Sequence, residues 1–424
     1  MKGLTALFKP AVRWGEIDVL LAAVVVALMG FGVVMVYSAS VIEATVVYAD
    51  PQYFLKRQAI FCGVGLCVML LVSRVDYHLL RPFTYPVLLV VTLLMVLSVI
   101  GFGHTGGGAA RWLRLGPVHV QPSEAAKLAL VLWLGYSLDK KKEKVKSFSI
   151  GMLPHCLLAG VLVLLCMKQP DFGGAVILVL LTFTLLFVAG AKLGYLIGIG
   201  ILGVGAAAWA IRFTAYRFER VLAWLNMSEH RQDLAYQPFQ SVMSFGSGEV
   251  TGLGLGKGLQ VLYLPEAHTD FIAAIVGEEL GFLGILALCS VYLLIVARGV
   301  RVALSAGDDY GLYVAFGISV LFGTQACWNI AVAMSMLPTK GLTLPFVSYG
   351  GSSLLVNSAA MGVLLNISRP RFWSANQRRV EDAGPAPEAS AVLVTEAEFG
   401  PEAAKPKTKP KPRRPKATLA PEAG

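Results

Sequence analysis

The stretch LPEAHTDFIAAIVGEELG, residues 264–281, joins a polar turn directly to a long apolar segment. Three ionisable side chains stand in the turn: Glu266, His268 and Asp270. Asp270 is therefore at the mouth of a predicted membrane helix, and Glu278 and Glu279 lie roughly 12 Å deeper, at ~1.5 Å per residue. An acid in hydrocarbon costs roughly 2.5–3.5 kcal/mol on insertion scales, so acids at such positions are seldom idle. The stretch predicts a membrane protein with a working acid near one face of the bilayer.

Apolar runs of this kind recur from end to end of the chain. Of its 424 residues, 56% are hydrophobic and 15% are charged, a composition typical of polytopic membrane proteins. A transmembrane barrel would show short alternating segments instead, so we expect an all-α fold with ten membrane helices. The predicted spans are 17–37, 58–73, 83–101, 122–138, 150–167, 172–189, 193–211, 269–297, 311–336 and 350–368.

Basic residues set the predicted orientation, because they collect in cytoplasmic loops. The strongest such loop holds Lys140, Lys141, Lys142, Lys144 and Lys146, and with ten spans it places both termini in the cytoplasm. The formal charge of +10 has the same explanation and indicates no nucleic-acid partner. The N-terminus resembles a signal peptide, but its apolar run is too long for one. We expect a multi-pass protein of the plasma (inner) membrane with an uncleaved first helix.

The chain divides into three predicted parts: a cytoplasmic N-terminus (1–16), a ten-helix membrane domain (17–372) and a disordered cytoplasmic tail (373–424). The tail is rich in Pro, Ala, Lys and Glu, a composition that does not support a packed core. The large outer loop, 212–268, lies between the seventh and eighth spans and contains SFGSGEVTGLGLGKGLQ (244–260). That glycine-rich segment lacks the spacing of a phosphate-binding loop, so we interpret it as flexible and tightly turning.

Three further polar groups are predicted to meet Asp270 at the outer face. GAARWLRLGPVHVQPSEAAK (108–127) carries Arg111, Arg114, Gln121, Glu124 and Lys127 around the start of the fourth span. The tight turn Lys168-Gln169-Pro170-Asp171 joins the fifth and sixth spans. LPTKGLTLPFVSYGGSSLL (337–355) carries Lys340, Ser348 and Tyr349 before the tenth.

Structural roles compete with functional ones for several of these residues. Glu124 and Lys127, three residues apart, are expected to pair. Asp171 is expected to cap the sixth span. Glu278 and Glu279 are expected to hydrogen-bond between helices or to tune the helix that carries them.

Four weaker features are interpreted as structural. Phe346 and Tyr349 are candidates for an interfacial aromatic belt. Pro154 is expected to kink the fifth span. Gly190, Gly194 and Gly198 are expected to form a helix-packing face. Six cysteines without metal or disulfide spacing are expected to be small core residues: Cys62, Cys67, Cys156, Cys166, Cys289 and Cys327.

Four motifs resemble, in their order, those of the SEDS family (shape, elongation, division and sporulation), ten-span proteins that polymerise peptidoglycan. They are QPSE, KQPDFGG, LPEAHTDFIAAIVGEELG and LPTKGLTLPFVSYGGSSLL, and the resemblance covers about residues 15–372. Within the family, the last motif is more similar to division-type members than to elongation-type members, which typically lack the Thr339–Lys340 pair. Ala273 stands where the family often has an aromatic residue, a departure that does not touch the ionisable positions.

The resemblance implies a glycosyltransferase that acts on lipid II at the outer membrane face, at the division septum, and places the family's essential acid on Asp270. Asp270 would be the general base when an acceptor hydroxyl attacks the donor sugar and undecaprenyl pyrophosphate leaves. We expect substrate contacts at Arg111, Arg114, Glu124, Lys127, Glu266, His268, Lys340 and Ser348. A divalent cation (Mg²⁺ or Mn²⁺) at the pyrophosphate is left open, since no ligand spacing argues for it. The implied partners are a class B penicillin-binding protein transpeptidase and other membrane proteins of the division machinery.

Other functions fit parts of the sequence. In a lipid II transporter, Glu124, Lys127, Glu278 and Glu279 would line a path, but most polar groups stand at outer ends of spans rather than at the midplane. A non-catalytic scaffold would act through the tail and loops. Within the family, an elongation-type polymerase is the remaining alternative.

Overall fold

The computed structural model describes residues 17–106, 109–115, 118–339 and 341–369, and this part of the chain is mostly helical. Its α-helices are α1 (Val19–Tyr48), α2 (Tyr53–Arg74), α3 (Leu80–Leu97), α4 (Pro122–Lys141), α5 (Leu153–Lys168), α6 (Phe172–Val188), α7 (Leu193–Arg212), α8 (Ala215–Leu225), α9 (Tyr236–Gly248), α10 (Ile272–Leu304), α11 (Asp309–Ala333) and α12 (Gly351–Ile367). The predicted N-terminal segment (1–16) and tail (373–424) lie outside the described residues, as does Lys340.

A helix lies at each position where a membrane span is predicted. Within the described residues, six helical segments are long and apolar enough to cross a membrane: Val19–Tyr48, Tyr53–Arg74, Tyr77–Ile100, Phe148–Lys168, Ile272–Leu304 and Asp309–Ala333. Shorter apolar helices occupy Phe172–Val188, Leu193–Trp209 and Gly351–Ile367. The chain is a multi-pass helical membrane protein, as its composition predicts.

The all-α prediction missed a small antiparallel sheet between α3 and α4. Its strands are β1 (Gly103–Gly106), β2 (Ala109–Leu115) and β3 (Val118–Val120), in the order β1-β2-β3. In the register, Gly103 lies opposite Leu113, and Leu113 lies opposite Val120. Strands this short carry little periodic signal, so the sequence of residues 103–120 gives no indication of them. The sheet brings Arg111, on β2, into the region of the candidate site.

The core of the bundle is built around α11, which packs against α4, α6, α10 and α12. Large side chains along it are fully enclosed, among them Tyr310 and Phe322. The peripheral helix α7 instead exposes apolar side chains, such as Ile201 and Leu202. Exposed apolar side chains are expected on the outside of a membrane protein, because its lipid-facing surface is as apolar as its core.

Helix α10 is broken at Gly281, where φ is 66° and ψ is −163°. A break leaves backbone groups without helical partners, and within a membrane they need partners from the protein. The glycine-rich segment supplies them through four backbone bonds: Phe282 N–H to Glu249 O (2.9 Å), Leu283 N–H to Val250 O (3.2 Å), Leu253 N–H to Glu278 O (3.0 Å) and Gly254 N–H to Glu279 O (2.9 Å). The segment therefore docks onto the broken helix.

Glycine makes this docking sterically feasible. A Cβ atom on Gly281 would lie 2.4 Å from the Gly252 nitrogen, and one on Gly252 would lie 2.2 Å from the Glu279 carbonyl oxygen. The tight turns predicted here are present, with positive φ at Gly252, Gly254 and Gly256. The interpretation of the glycine-rich segment as a flexible part of the outer loop is corrected by these bonds, because they attach the segment to α10.

Two predictions for the helices are wrong, and one stays a prediction. Pro154 stands in the first turn of α5, directly after a π-helical turn (Phe148–Met152) and within the helical segment Phe148–Lys168, so its kink stays a prediction. A Cβ atom on Gly190, Gly194 or Gly198 would meet no atom within 4 Å, because this side of the chain faces away from the bundle. Cys166 is buried, but Cys67, Cys289 and Cys327 are exposed on the apolar surface.

Candidate active site

Asp270 lies in the turn that leads into α10, which begins at Ile272. Its N–H donates to the Glu266 carbonyl at 3.2 Å, so the chain is already wound before the helix starts. Glu266 adopts a left-handed conformation, with φ of 57°, and is exposed. Asp270 is half-buried, which leaves part of it accessible from the mouth of the helix.

Asn329, a buried residue on α11, fixes the backbone at Asp270. Its Nδ2 donates to the carbonyl of Asp270 at 2.9 Å and to the carbonyl of Leu342 at 2.6 Å. One amide thus ties the turn before α10 to the segment before α12. Gly341 lies directly against the carboxylate, since a Cβ atom there would be 2.8 Å from Asp270 Oδ2. The segment before α12 forms one wall of the site.

The surroundings of Asp270 raise the pKa of its carboxyl to about 6. Burial is the largest cause, the negative charge of Glu266 adds to it, and the guanidinium of Arg111 opposes it. The carboxyl is therefore mostly ionised at neutral pH, yet it is a stronger base than an aspartate in water. A pKa near the operating pH is what efficient general-base catalysis requires.

His268 is buried among aromatic rings. Its ring centroid is 4.4 Å from that of Phe54 and 5.5 Å from that of Tyr349, and its carbonyl accepts the Tyr349 N–H at 2.9 Å. Burial lowers the pKa of its imidazole, against the opposing charge of Glu266, so the ring is neutral at neutral pH. Its Nδ1 lies 3.4 Å from Oε2 of Glu43, on α1. His268 thus connects its own turn with α1, α2 and the segment before α12 as a neutral packing group.

Asp171 and the QPSE motif form one hydrogen-bonded group. Asp171 Oδ1 accepts the Gly174 N–H at 2.9 Å, which confirms the predicted cap of α6. Its other oxygen accepts the Ser123 hydroxyl at 2.6 Å, and Gln121 Nε2 donates to the Ser123 oxygen at 3.0 Å. The charge of Asp171 also contributes to the raised pKa of Asp270, so the group borders the site.

Glu124 and Lys127 form the predicted pair, with Lys127 Nζ 2.6 Å from Glu124 Oε1. Both are buried in the bundle. The hydroxyl of Ser353, on α12, donates to the second Glu124 oxygen at 3.2 Å, and Thr343 Oγ1 lies 2.8 Å from Ser353 Oγ. The two charges pair with each other inside the bundle, and the substrate contact expected of them stays a prediction.

The remaining predicted residues have varied surroundings. Ser348 is buried, and its Oγ accepts the Leu344 N–H at 2.8 Å, so it stabilises the turn before α12. Arg114 is exposed on β2. Phe346 and Tyr349 do not form an interfacial belt: Phe346 is buried against Phe322, and Tyr349 packs on Phe54 and His268.

The family profile described as a cell cycle protein, which groups FtsW, RodA and SpoVE, matches residues 18–372. The chain belongs to this family. A relative from Geobacter sulfurreducens named "Probable peptidoglycan glycosyltransferase FtsW" is 46% identical over 353 residues, which cover 83% of this chain and 95% of that protein. Stage V sporulation protein E of Bacillus subtilis is 37% identical over 354 residues, 83% and 97% of the two chains. The SEDS family predicted from the motifs is confirmed.

Solved structures of SEDS proteins share the fold. A chain from a peptidoglycan synthase complex, described as coordinating polymerization and crosslinking, has a TM-score of 0.70 and 31% identity. The rod shape determining protein RodA of Thermus thermophilus has a TM-score of 0.64 and 29% identity. Each match covers 85% of this chain and 99% of the other.

Three residues of this SEDS site escaped the sequence analysis: Asn329, Gly341 and Glu43. Asn329 is a polar residue in the middle of an apolar span, the same signal that singled out Glu278 and Glu279. Gly341 had no local signal, because its role depends on a contact with a residue 71 positions away. Glu43 lies on α1 but beyond residue 37, where the first predicted span ends, so the sequence gives it no helix and no partner.

Proposed function

We propose that the chain polymerises lipid II into glycan strands at the outer face of the plasma membrane during septal cell division, with Asp270 as general base. Its enzyme class, peptidoglycan glycosyltransferase, is the one its curated FtsW relatives carry. The observation that supports the role of Asp270 is its setting: a half-buried carboxyl at a helix mouth, with a pKa of about 6 and within reach of the Arg111 charge.

In the proposed reaction, the 4-hydroxyl of the acceptor GlcNAc attacks the anomeric carbon of the donor MurNAc. Asp270 takes the hydroxyl proton as the new C–O bond forms, and the bond to undecaprenyl pyrophosphate breaks on the opposite face of the sugar. The product carries a β-1,4 link with inverted configuration. Asn329 keeps the base in place because it bonds the backbone of Asp270 and leaves the carboxylate free to accept a proton.

The leaving pyrophosphate needs cationic partners, and Arg111 is the best placed. Its charge acts on Asp270, and its Nε is buried without a hydrogen-bond partner among the described residues. Arg114, exposed on the same strand, is a second candidate, and Lys340 is proposed from the sequence alone. The exposed carboxylate of Glu266 is proposed to accept hydrogen bonds from sugar hydroxyls.

A divalent cation (Mg²⁺ or Mn²⁺) at the pyrophosphate stays a prediction from the family resemblance. No three His, Cys, Asp or Glu side chains among the described residues come together in an arrangement that could hold a metal ion. A cation bound through the substrate's phosphates would need only one or two protein carboxylates.

The proposed topology has ten spans, with both termini in the cytoplasm and Asp270 at the outer face. The lysine-rich connection after α4 and the +10 charge support it. The matched peptidoglycan synthase complex coordinates polymerization with crosslinking. By analogy, we propose a class B penicillin-binding protein transpeptidase as partner, alongside other membrane proteins of the division septum.

The polymerase is distinguished from a lipid II transporter by two assays on the purified chain in liposomes. Polymerisation predicts glycan strands and released undecaprenyl pyrophosphate, in the presence of the transpeptidase partner. Transport predicts a change in the accessibility of lipid II between leaflets without strand formation. Transport without strands would overturn the proposal.

The pH dependence of the reaction should follow Asp270. The carboxylate must be ionised to accept a proton, so kcat/KM should be constant at neutral pH and fall about tenfold per pH unit below about pH 6. In Glu266→Gln, a negative neighbour is removed, which lowers the Asp270 pKa and should move the acidic limb to lower pH. A limb that stays in place in Glu266→Gln, or a rate independent of pH, would contradict the assignment.

Gly341→Ala should impair the reaction by displacing the base. Its Cβ would lie 2.8 Å from Asp270 Oδ2, so the carboxylate must shift, and misplacement of a reacting group by about 1 Å can cost roughly 100-fold in rate. We expect kcat to fall at least about tenfold. Gly307→Ala is the matched control, because a Cβ there meets no atom within 4 Å, and it should retain wild-type activity. Equal rates in both variants would argue against a tight wall at residue 341.

A further inference from the structure

Glu278 and Glu279 are two adjacent buried acids that the proposed reaction does not use. Their side chains are 0% and 1% exposed, and both lie on α10 just before its break at Gly281. A carboxyl group so deep in the bundle needs hydrogen-bond partners to offset its lost hydration. Most of the donors that the structure provides come from the glycine-rich segment, and one comes from α1.

Glu278 bonds the backbone of that segment through one carboxylate oxygen. Its Oε1 accepts the N–H of Leu259 at 2.8 Å and the N–H of Gln260 at 3.1 Å. Glu279 acts beside it: its Oε1 accepts the hydroxyl of Ser38, on α1, at 2.5 Å, and the N–H groups of Gly256 and Gly258 face its carboxylate. We call this arrangement, Glu278 and Glu279 with residues 256–260, the carboxylate clasp.

The clasp closes a loop that contains Asp270. The chain leaves Leu259 and Gln260, passes through the turn with Glu266, His268 and Asp270, and returns along α10 to Glu278. The two ends of this 259–278 loop are joined by the two bonds to Glu278. The backbone bonds of Leu253 and Gly254 to the broken helix hold the segment just before the clasp. The turn that carries Asp270 is therefore held at two points: by the clasp, and by the Asn329 side chain at the Asp270 carbonyl.

We infer that Glu278 is a positioning residue for the base, because its carboxylate holds the segment that leads into Asp270. This inference rests on the proposed polymerase function and adds a residue to it. Glu278 has no part in the proposed proton transfer. What it supplies is two acceptor bonds to backbone N–H groups, and a neutral amide oxygen at the same place can supply them as well.

The test compares Glu278→Ala with Glu278→Gln. The alanine variant loses both acceptor bonds, so kcat for lipid II polymerisation should fall at least about tenfold, while KM changes by less than about threefold. The glutamine variant keeps an acceptor oxygen and should retain at least about half of the wild-type kcat. Equal losses in both variants, or a wild-type kcat in Glu278→Ala, would overturn the inference.

Hydrogen exchange gives a readout that does not depend on lipid II. In Glu278→Ala, backbone amides in residues 256–262 should exchange faster than in wild type, while those of α11 stay unchanged. A merely structural role would instead raise exchange throughout the bundle, α11 included, and that result would also overturn the inference. If the wild-type chain forms no glycan, the polymerase proposal fails. Hydrogen exchange at residues 256–262 then remains as the test of whether Glu278 holds this segment.

A steric variant opens the clasp from the opposite side without touching the acid. A Cβ atom on Gly258 would lie 2.8 Å from Glu278 Oε2 and 3.3 Å from Glu279 Oε1, so Gly258→Ala should reproduce the effect of Glu278→Ala on kcat and on exchange. Gly246→Ala, on α9, is the control, because a Cβ there meets nothing within 4 Å. Wild-type kcat and exchange in Gly258→Ala would count against the clasp.

Discussion

Lys127→Met should destabilise the folded chain by about 3–5 kcal/mol, the range measured when one partner of a buried ion pair is removed. Lys127 and Glu124 are buried, and Lys127 Nζ lies 2.6 Å from the Glu124 oxygen. Without the ammonium, Glu124 keeps only the Ser353 hydroxyl as a polar partner among the contacts described above. Thermal unfolding of the purified chain in one detergent measures the effect. The double variant Glu124→Gln/Lys127→Met should recover much of the loss, because no charge is left unpaired.

Lys146→Met provides a matched control. Lys146 and Glu143 have the same three-residue spacing and the same 2.6 Å separation, but their side chains are 57% and 85% exposed. Solvent-exposed pairs contribute about 0–1 kcal/mol, so this variant should unfold close to the wild-type temperature. Similar shifts in the two variants would show that burial does not set the strength of the inner pair.

Local sequence patterns predicted the helices and the local contacts well. The membrane helices follow from apolar runs that are near the length needed to cross a bilayer. The Asp171 cap and the Glu124–Lys127 pair follow from spacings within one helical turn. Asp270 stands out because no lysine or arginine lies within four positions of it and because it falls on the essential acid of the SEDS motif.

Contacts between distant segments could not be predicted in this way. Asn329 and Gly341 meet Asp270 only because α11 and the segment before α12 fold against the start of α10. The docking of the glycine-rich segment depends on a break at Gly281, and glycine is common in membrane helices, so its presence does not predict a break. The sequence also does not show which side of a helix faces lipid, because lipid-facing and buried residues are both apolar. For this reason the predictions for the cysteines and for Gly190, Gly194 and Gly198 were wrong.

Asp270→Asn should reduce glycan formation about a thousandfold, because a positioned general base contributes typically 10²–10⁴-fold and an amide cannot accept the proton. The fold should survive, since Asn329 bonds the carbonyl of residue 270 and not its side chain. Asp233→Asn is the matched control: Asp233 lies in the preceding 212–268 loop, its side chain is 63% exposed, and the variant should retain wild-type activity.

The most direct test of the account is polymerisation of purified lipid II by the wild type and Asp270→Asn, side by side in proteoliposomes with the transpeptidase partner, at a pH above 7. Equal insertion and equal unfolding temperatures establish that the two proteins are comparable. We predict glycan strands and released undecaprenyl pyrophosphate from the wild type and none above background from Asp270→Asn. Strand formation by Asp270→Asn at the wild-type rate would contradict the role of Asp270 as the base.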